Sequence, residues 1–263
     1  MQTLDRSLSG VSETIPVPWP RLNELVQPGP GHLVLLLGAP GVGKSSFALQ
    51  WTLEMGEPTL IVSQDTDLAT QAARTVAHMV GISFADVKED LPKWEAYLKA
   101  SVPTLPMMLD YPLLVDDLDP LVIAAEEFYG TRPRMVVVDV LRNVVPGAAY
   151  EDFMETFREL HRVARKHHIT IVVLHHLNRQ GKNASGTKPV RLDDGQYGGE
   201  QECEIVLGLW TPRGKEDVIY GWVPYNEPML RVSVLKNRNG PKDPDGMGVY
   251  VDMRADLERM QIG

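Results

Sequence analysis

Continuous runs of leucine and β-branched residues recur along the chain at Leu33–Leu37, Thr59–Ser63, Met135–Asp139, Ile169–His175 and Ile205–Trp210. Runs of this kind predict short strands buried on both faces. Helical periodicity fills the intervals at Lys44–Met55, Leu68–Val80, Leu121–Tyr129 and Tyr150–His167, and Gly81 is the residue type that closes a helix in the left-handed conformation. The alternation predicts an α/β fold, a mostly parallel sheet flanked by helices. The pattern changes late in the chain. Ile219–Val223, Leu230–Lys236 and Met247–Met253 are strand-like and separated by Gly and Pro turns, which predicts an antiparallel C-terminal extension of the same sheet. Residues 1–15 are polar and aperiodic, a flexible tail. Pro16, Pro18, Pro20, Pro28 and Pro30 mark an irregular docking segment, which leaves one domain from 16 to 263.

Composition narrows the class. At 263 residues and 43% hydrophobic, the chain can bury a large core without staples. One cysteine, Cys203, excludes an internal disulfide or a thiolate zinc cluster, so a reducing, cytoplasmic setting is expected. No apolar run reaches membrane-spanning length and no signal-peptide core opens the chain, so no membrane partner is expected. With 35 acids against 26 Lys and Arg, the net charge of −9 argues against general coating of nucleic acid. A local basic groove stays open.

Gly38, Ala39, Pro40, Gly41, Val42, Gly43, Lys44 and Ser45 spell G-x-x-x-x-G-K-S, directly after a predicted strand and directly before a predicted helix. Glycines let successive N–H groups curl around phosphate oxygens at a helix N-terminus. Lys44 would reach the β- and γ-phosphates and Ser45 would ligate magnesium, with Ser46 completing the contact set. ATP and Mg2+ are the expected cofactors. Such a loop needs a second magnesium-side carboxylate at the end of a neighbouring strand, and Asp139 supplies it. Asp65 and Asp67 follow another strand at the carboxyl edge, where open α/β sheets bind ligands. Asp65 is the better candidate to orient water, because Asp67 stands where the next helix needs its N-cap.

From His175 to Arg191 there are four basic residues, Arg179, Lys182, Lys188 and Arg191, and no acid in 17 residues. Interleaved Gly, Asn and Ser make the stretch pliable. On an acidic chain this contrast suits contacts to nucleic-acid phosphates. His161, His167, His168, His175 and His176 lack partners at metal-ligand spacing, and Asp116, Asp117 and Asp119 read as an acidic turn before a helix.

Two later stretches carry a family resemblance. Val172-Val173-Leu174-His175-His176-Leu177-Asn178-Arg179 is similar to a strand ending in S-Q-L-N-R, and Lys236-Asn237-Arg238-Asn239-Gly240-Pro241 resembles K-x-R-N-G-P. Between them, Gly198-Gly199-Glu200-Gln201-Glu202-Cys203-Glu204 resembles E-Q-D-A-D before a buried strand. Together with the phosphate loop these resemble the DnaB-like replicative helicase core, a RecA-type P-loop ATPase, in a short phage or plasmid form without the N-terminal collar.

The resemblance implies a RecA-like fold, ATP hydrolysis coupled to translocation on single-stranded DNA, and a homo-oligomeric ring, a hexamer. It places Asp65 at the catalytic glutamate and His176 at the γ-phosphate sensor. Lys236 and Arg238 fall where one subunit offers a lysine and an arginine finger to its neighbour's nucleotide, and the segment from about Asn178 to Gly199 at a DNA-holding channel loop. Asp65 is one methylene shorter than glutamate, and His176 replaces the usual Gln. The missing collar bears on primase coupling and ring stability. Replication or recombination proteins are the expected partners, in a host cytoplasm if the chain is phage-encoded. Two other readings stay open: a RadA-like recombination or branch-migration ATPase, and a slow ATP-switched DNA-binding scaffold.

Overall fold

The computed structural model describes residues 14–101, 105–178, 186–217 and 221–263. Strands β1 (Leu33–Gly38), β2 (Thr59–Val62), β3 (Met107–Leu109), β4 (Met135–Val138), β5 (Thr170–His176) and β6 (Ile205–Trp210) run parallel. β7 (Gly214–Asp217) and β8 (Gly221–Pro224) form a separate hairpin, and β9 (Met229–Asn237), β10 (Tyr250–Asp256) and β11 (Gln261–Ile262) add antiparallel strands beyond β6. Among the described residues the large sheet has the order β11-β10-β9-β6-β1-β5-β4-β2-β3.

Its helices are α1 (Pro20–Leu25), α2 (Lys44–Met55), α3 (Leu68–Val80), α4 (Phe84–Glu89), α5 (Leu91–Ser101), α6 (Leu118–Tyr129), α7 (Leu141–Val144) and α8 (Tyr150–His167). Every residue of β1 is buried, because alternate side chains enter two different cores. Leu33, Leu35 and Leu37 meet Phe153, Phe157 and Leu160 of α8. Val34 and Leu36 meet Phe47 and Trp51 of α2. No described helix is long and apolar enough to cross a membrane.

Three sequence expectations need correction. The run Ile219–Val223 does not extend the main sheet; its described residues belong to the β7–β8 hairpin. The edge beside β6 is filled by the longer, almost wholly buried β9, paired from Asn237 to Arg231. The packed chain also begins before residue 16. Ile15 is buried at 2% exposure, its N–H bonded to the Pro28 carbonyl, while Trp51 Nε1 reaches Pro16 O and Trp19 stacks on Phe47 with centroids 4.1 Å apart. Finally, β3, α4 and α5 are absent from the sequence expectation: a three-residue edge strand and a six-residue helix carry too few positions to show a period, and α5 carries a proline, Pro92, at its second position.

Candidate active site

The site forms at the carboxyl edge, where β1 ends at Gly38 beside His176 of β5 and Leu209 of β6. Gly43 caps α2 at φ 102°, a conformation that favours glycine, and a Cβ there would lie 3.1 Å from the Leu257 side chain. The next residue, Lys44, is 5% exposed and donates to the carbonyls of Gly38 at 2.8 Å and Ala39 at 3.0 Å. Burial pulls its pKa down to about 8, opposed in part by Asp139. A desolvated ammonium resting on carbonyls at a helix N-terminus suits an incoming polyphosphate.

Asp139 follows β4, tied to β2 by its N–H on the Val62 carbonyl at 2.8 Å. Its carboxyl is raised by burial and then held down by the Ser45 hydroxyl, Lys44 and Arg74. A buried carboxylate hydrogen-bonded to a serine hydroxyl fits a hard divalent cation, so Ser45 and Asp139 are the residues that would hold Mg2+. The Ser46 hydroxyl turns away, donating to Met260 Sδ at 3.3 Å, and only its backbone N–H is available to a phosphate.

Asp65 lies just beyond β2, exposed and near enough to raise the Asp139 carboxyl further. Asp67 caps α3, accepting from Thr70 N and Oγ1 at 2.8 Å each, as its spacing predicts. Strand alternation separates the two histidines. His175 enters the core against Phe153 and Phe157 with Nε2 on the Gln196 carbonyl, and burial takes it down to about 4. His176 therefore takes the α2 face, the side of the phosphate loop.

Arg74 escaped the sequence reading. It lines a small cavity with Ser45, Ser63, Gln71 and Asp139, its buried Nε lacks a hydrogen-bond partner, and its charge stabilises the Asp139 carboxylate. A lone arginine on an amphipathic helix reads as a solvated cation until the sheet order aims it at a strand end.

Lys236 and Arg238 lie at the other end of the sheet. β9 runs antiparallel to β6 and ends beside Ile205, while Glu204 N donates to the carbonyl of Leu33, the first residue of β1. Six strand residues, roughly 17 Å, separate that point from the end of β1. Lys236 Nζ donates to the carbonyls of Glu200 at 2.8 Å and Gln201 at 3.0 Å, and burial lowers its pKa. Arg238 Nη1 lies 3.5 Å from Glu204 Oε1.

Of the four basic loop residues, Arg179 and Lys182 fall outside the described residues. Lys188 is exposed. Arg191 Nη2 sits 2.8 Å from Asp245 and its Nε 3.6 Å from Asp193, so one acid far along the chain and one close by match its charge. Gly186, where the described loop resumes, accepts from Thr211 N at 2.8 Å, and a Cβ on it would lie 3.3 Å from Ala39 Cβ.

The chain is similar to several known proteins. A family described as an AAA domain matches residues 7–182. Gene 65 protein of Mycobacterium phage L5 is 30% identical over 246 residues, covering 88% of this chain and 85% of that protein. Replicative DNA helicase DnaB of Pasteurella multocida (strain Pm70) is 21% identical over 229 residues, 81% of this chain but 48% of the helicase. The solved ATPase domain of G40P superposes with a TM-score of 0.78 at 18% identity, covering 99% of this chain and 95% of that domain.

Proposed function

Because the chain belongs to the AAA domain family and folds as a DnaB-like helicase ATPase domain, we propose that it is an ATP-driven translocase or helicase working as a ring on single-stranded DNA. The observation that carries this reading is the division of one site between two ends of a sheet. The phosphate cradle and the Lys236–Arg238 pair lie about a strand length apart, so a subunit's cations cannot reach its own nucleotide. Two copies placed edge to edge complete the site.

In that arrangement Lys44 and the loop N–H groups bind the β- and γ-phosphates, Asp65 orients the attacking water, and His176 senses the γ-phosphate from β5. Ser45 and Asp139 would hold Mg2+, which when bound would supply charge neutralisation at the phosphate oxygens. Arg74 stabilises the ionised Asp139 from the same subunit. Arg238 and Lys236 of the adjacent copy meet the charge that develops on the transferred group. The loop carrying Arg179, Lys182, Lys188 and Arg191 grips DNA phosphates. For Arg191 the ion pairs with Asp245 and Asp193 offset part of that contribution. Similarity to a mycobacteriophage protein supports action in a host cytoplasm. Asp65 also supports a second reading, a slow ATP-operated scaffold, since an exposed and shortened carboxylate is a weaker water-orienting group.

The test combines ATP hydrolysis with and without single-stranded DNA with particle mass in solution. DNA-stimulated turnover by a ring supports the motor, and slow, DNA-indifferent turnover by a monomer rejects it. Mixing inactive Arg238→Ala with inactive Lys44→Ala should restore activity, because mixed rings contain interfaces with both halves intact. A dead mixture with demonstrated subunit exchange removes the role of Arg238 in trans.

A further inference from the structure

Residues 200–204, the stretch between the DNA loop and β6, hold both cations of the far edge. The carbonyls of Glu200 and Gln201 hold Lys236. Glu204 holds Arg238 twice: its carbonyl accepts from Arg238 N at 3.1 Å, and its Oε1 faces Nη1 at 3.5 Å. The Glu204 carboxylate is 6% exposed, and such a group is stable in a fold only where donors and cations compensate it. Its Oε2 accepts from Leu33 N at 2.9 Å, a bond that any oxygen acceptor could make. The negative charge is a separate matter. His161 Nε2 stands 3.4 Å from Oε1, yet burial lowers its pKa, and burial lowers that of nearby His32 as well. Neutral imidazoles leave the carboxylate charge to Arg238, which pairs with it directly, and to Lys236, which acts on it without an ion pair. The Arg238 side chain is 49% exposed, so with Nη1 turned to Glu204 the rest of its five-donor fork is free to face outward.

We propose that Glu204 is a positioning residue: it anchors one end of the Arg238 guanidinium so that the remaining N–H groups are aimed at the nucleotide of the neighbouring copy. This rests on the reading that Arg238 acts in trans. The arginine stem is long and flexible, and a carboxylate against one arm of its planar fork removes rotamer freedom before the neighbour's phosphate arrives. Fold and orientation are separable here, because the Leu33 bond needs an oxygen and the Arg238 contact needs a charge.

Glu204→Gln keeps the acceptor and loses the charge. In the homogeneous ring it should lower kcat by about tenfold and leave the KM for ATP unchanged, because ATP is held by the other subunit's phosphate loop. The deciding experiment uses the mixture of Lys44→Ala with Arg238→Ala, whose productive interfaces take the finger from the Lys44→Ala copy. Adding Glu204→Gln to the Lys44→Ala copy should reduce the restored activity by about tenfold. Adding it to the Arg238→Ala copy should change nothing. Equal losses in both arms, or no loss in either, overturn the positioning role while leaving the finger in place. A parent mixture that is dead overturns the finger, and the proposal with it. Should Glu204→Gln fail to fold, Glu204→Asp goes through the same two arms; it keeps the charge but withdraws it by a methylene, and the same asymmetry is expected.

Discussion

Near each end of β1 a lysine rests on a pair of backbone carbonyls, Lys44 buried and Lys236 half-buried, and the two differ in what stands beside them. At the carboxyl edge Lys44 has Asp139, Ser45 and Arg74 around it and a left-handed glycine turn ahead of it. At the amino edge Lys236 has Arg238 and the buried Glu204, with no phosphate loop near. Under the proposed function the first end holds a polyphosphate and the second presents charge to the nucleotide of a neighbouring copy, which would account for cations kept oriented so far from the nucleotide loop.

The sharpest way to break this comparison is to remove the cation at each end. Lys44→Ala and Arg238→Ala should each cost roughly 10³-fold in turnover, the first with loss of nucleotide binding and the second without it. Nucleotide titrations beside steady-state rates separate the two, and an Arg238→Ala protein with normal turnover would reduce the amino edge to a structural feature. Asp65→Asn comes next. It should keep nucleotide affinity and lose about 10²-fold in turnover. Equal turnover would hand the water to another group.

A stability measurement probes the carboxyl edge alone. In the unfolded chain a lysine keeps its proton to about pH 10.5, and in the fold Lys44 holds it only to about 8. Burial therefore costs stability in full below pH 8, and the cost shrinks as pH rises from about 8 towards 10.5. Lys44→Met should stabilise the nucleotide-free protein by up to about 3 kcal/mol and remove that alkaline gain, as read by thermal melting across pH. Nucleotide affinity should move oppositely, weakening in wild type as pH rises past about 8. A Lys44→Met protein that melts below wild type would show that the ammonium is not penalised where it lies.

The smallest effects concern the basic loop before β6. Lys188→Ala should reduce the salt slope of single-stranded DNA binding by about one, and Arg191→Ala by less, since Asp245 and Asp193 already match its charge. A larger effect at Arg191 would mean that DNA displaces those acids.

What the chain states by itself is local. The phosphate loop, the strands before Gly38 and Asp139 and the Asp67 cap are all legible, because each depends on residue types at fixed short spacings and on one run of burial. The resemblance of residues 236–241 to a family motif was equally visible, but not what stands opposite them. No acid lies between Leu235 and Pro241, and only the pairing of β9 with β6 brings Glu204 against Arg238. Sheet order likewise decided that Arg74 faces Asp139, that Asp245 neutralises Arg191 and that the β7–β8 hairpin stays outside the main sheet. These contacts join residues dozens of positions apart, and no periodicity encodes them. They follow from which strand wins each edge, a competition settled by buried area over the whole sheet.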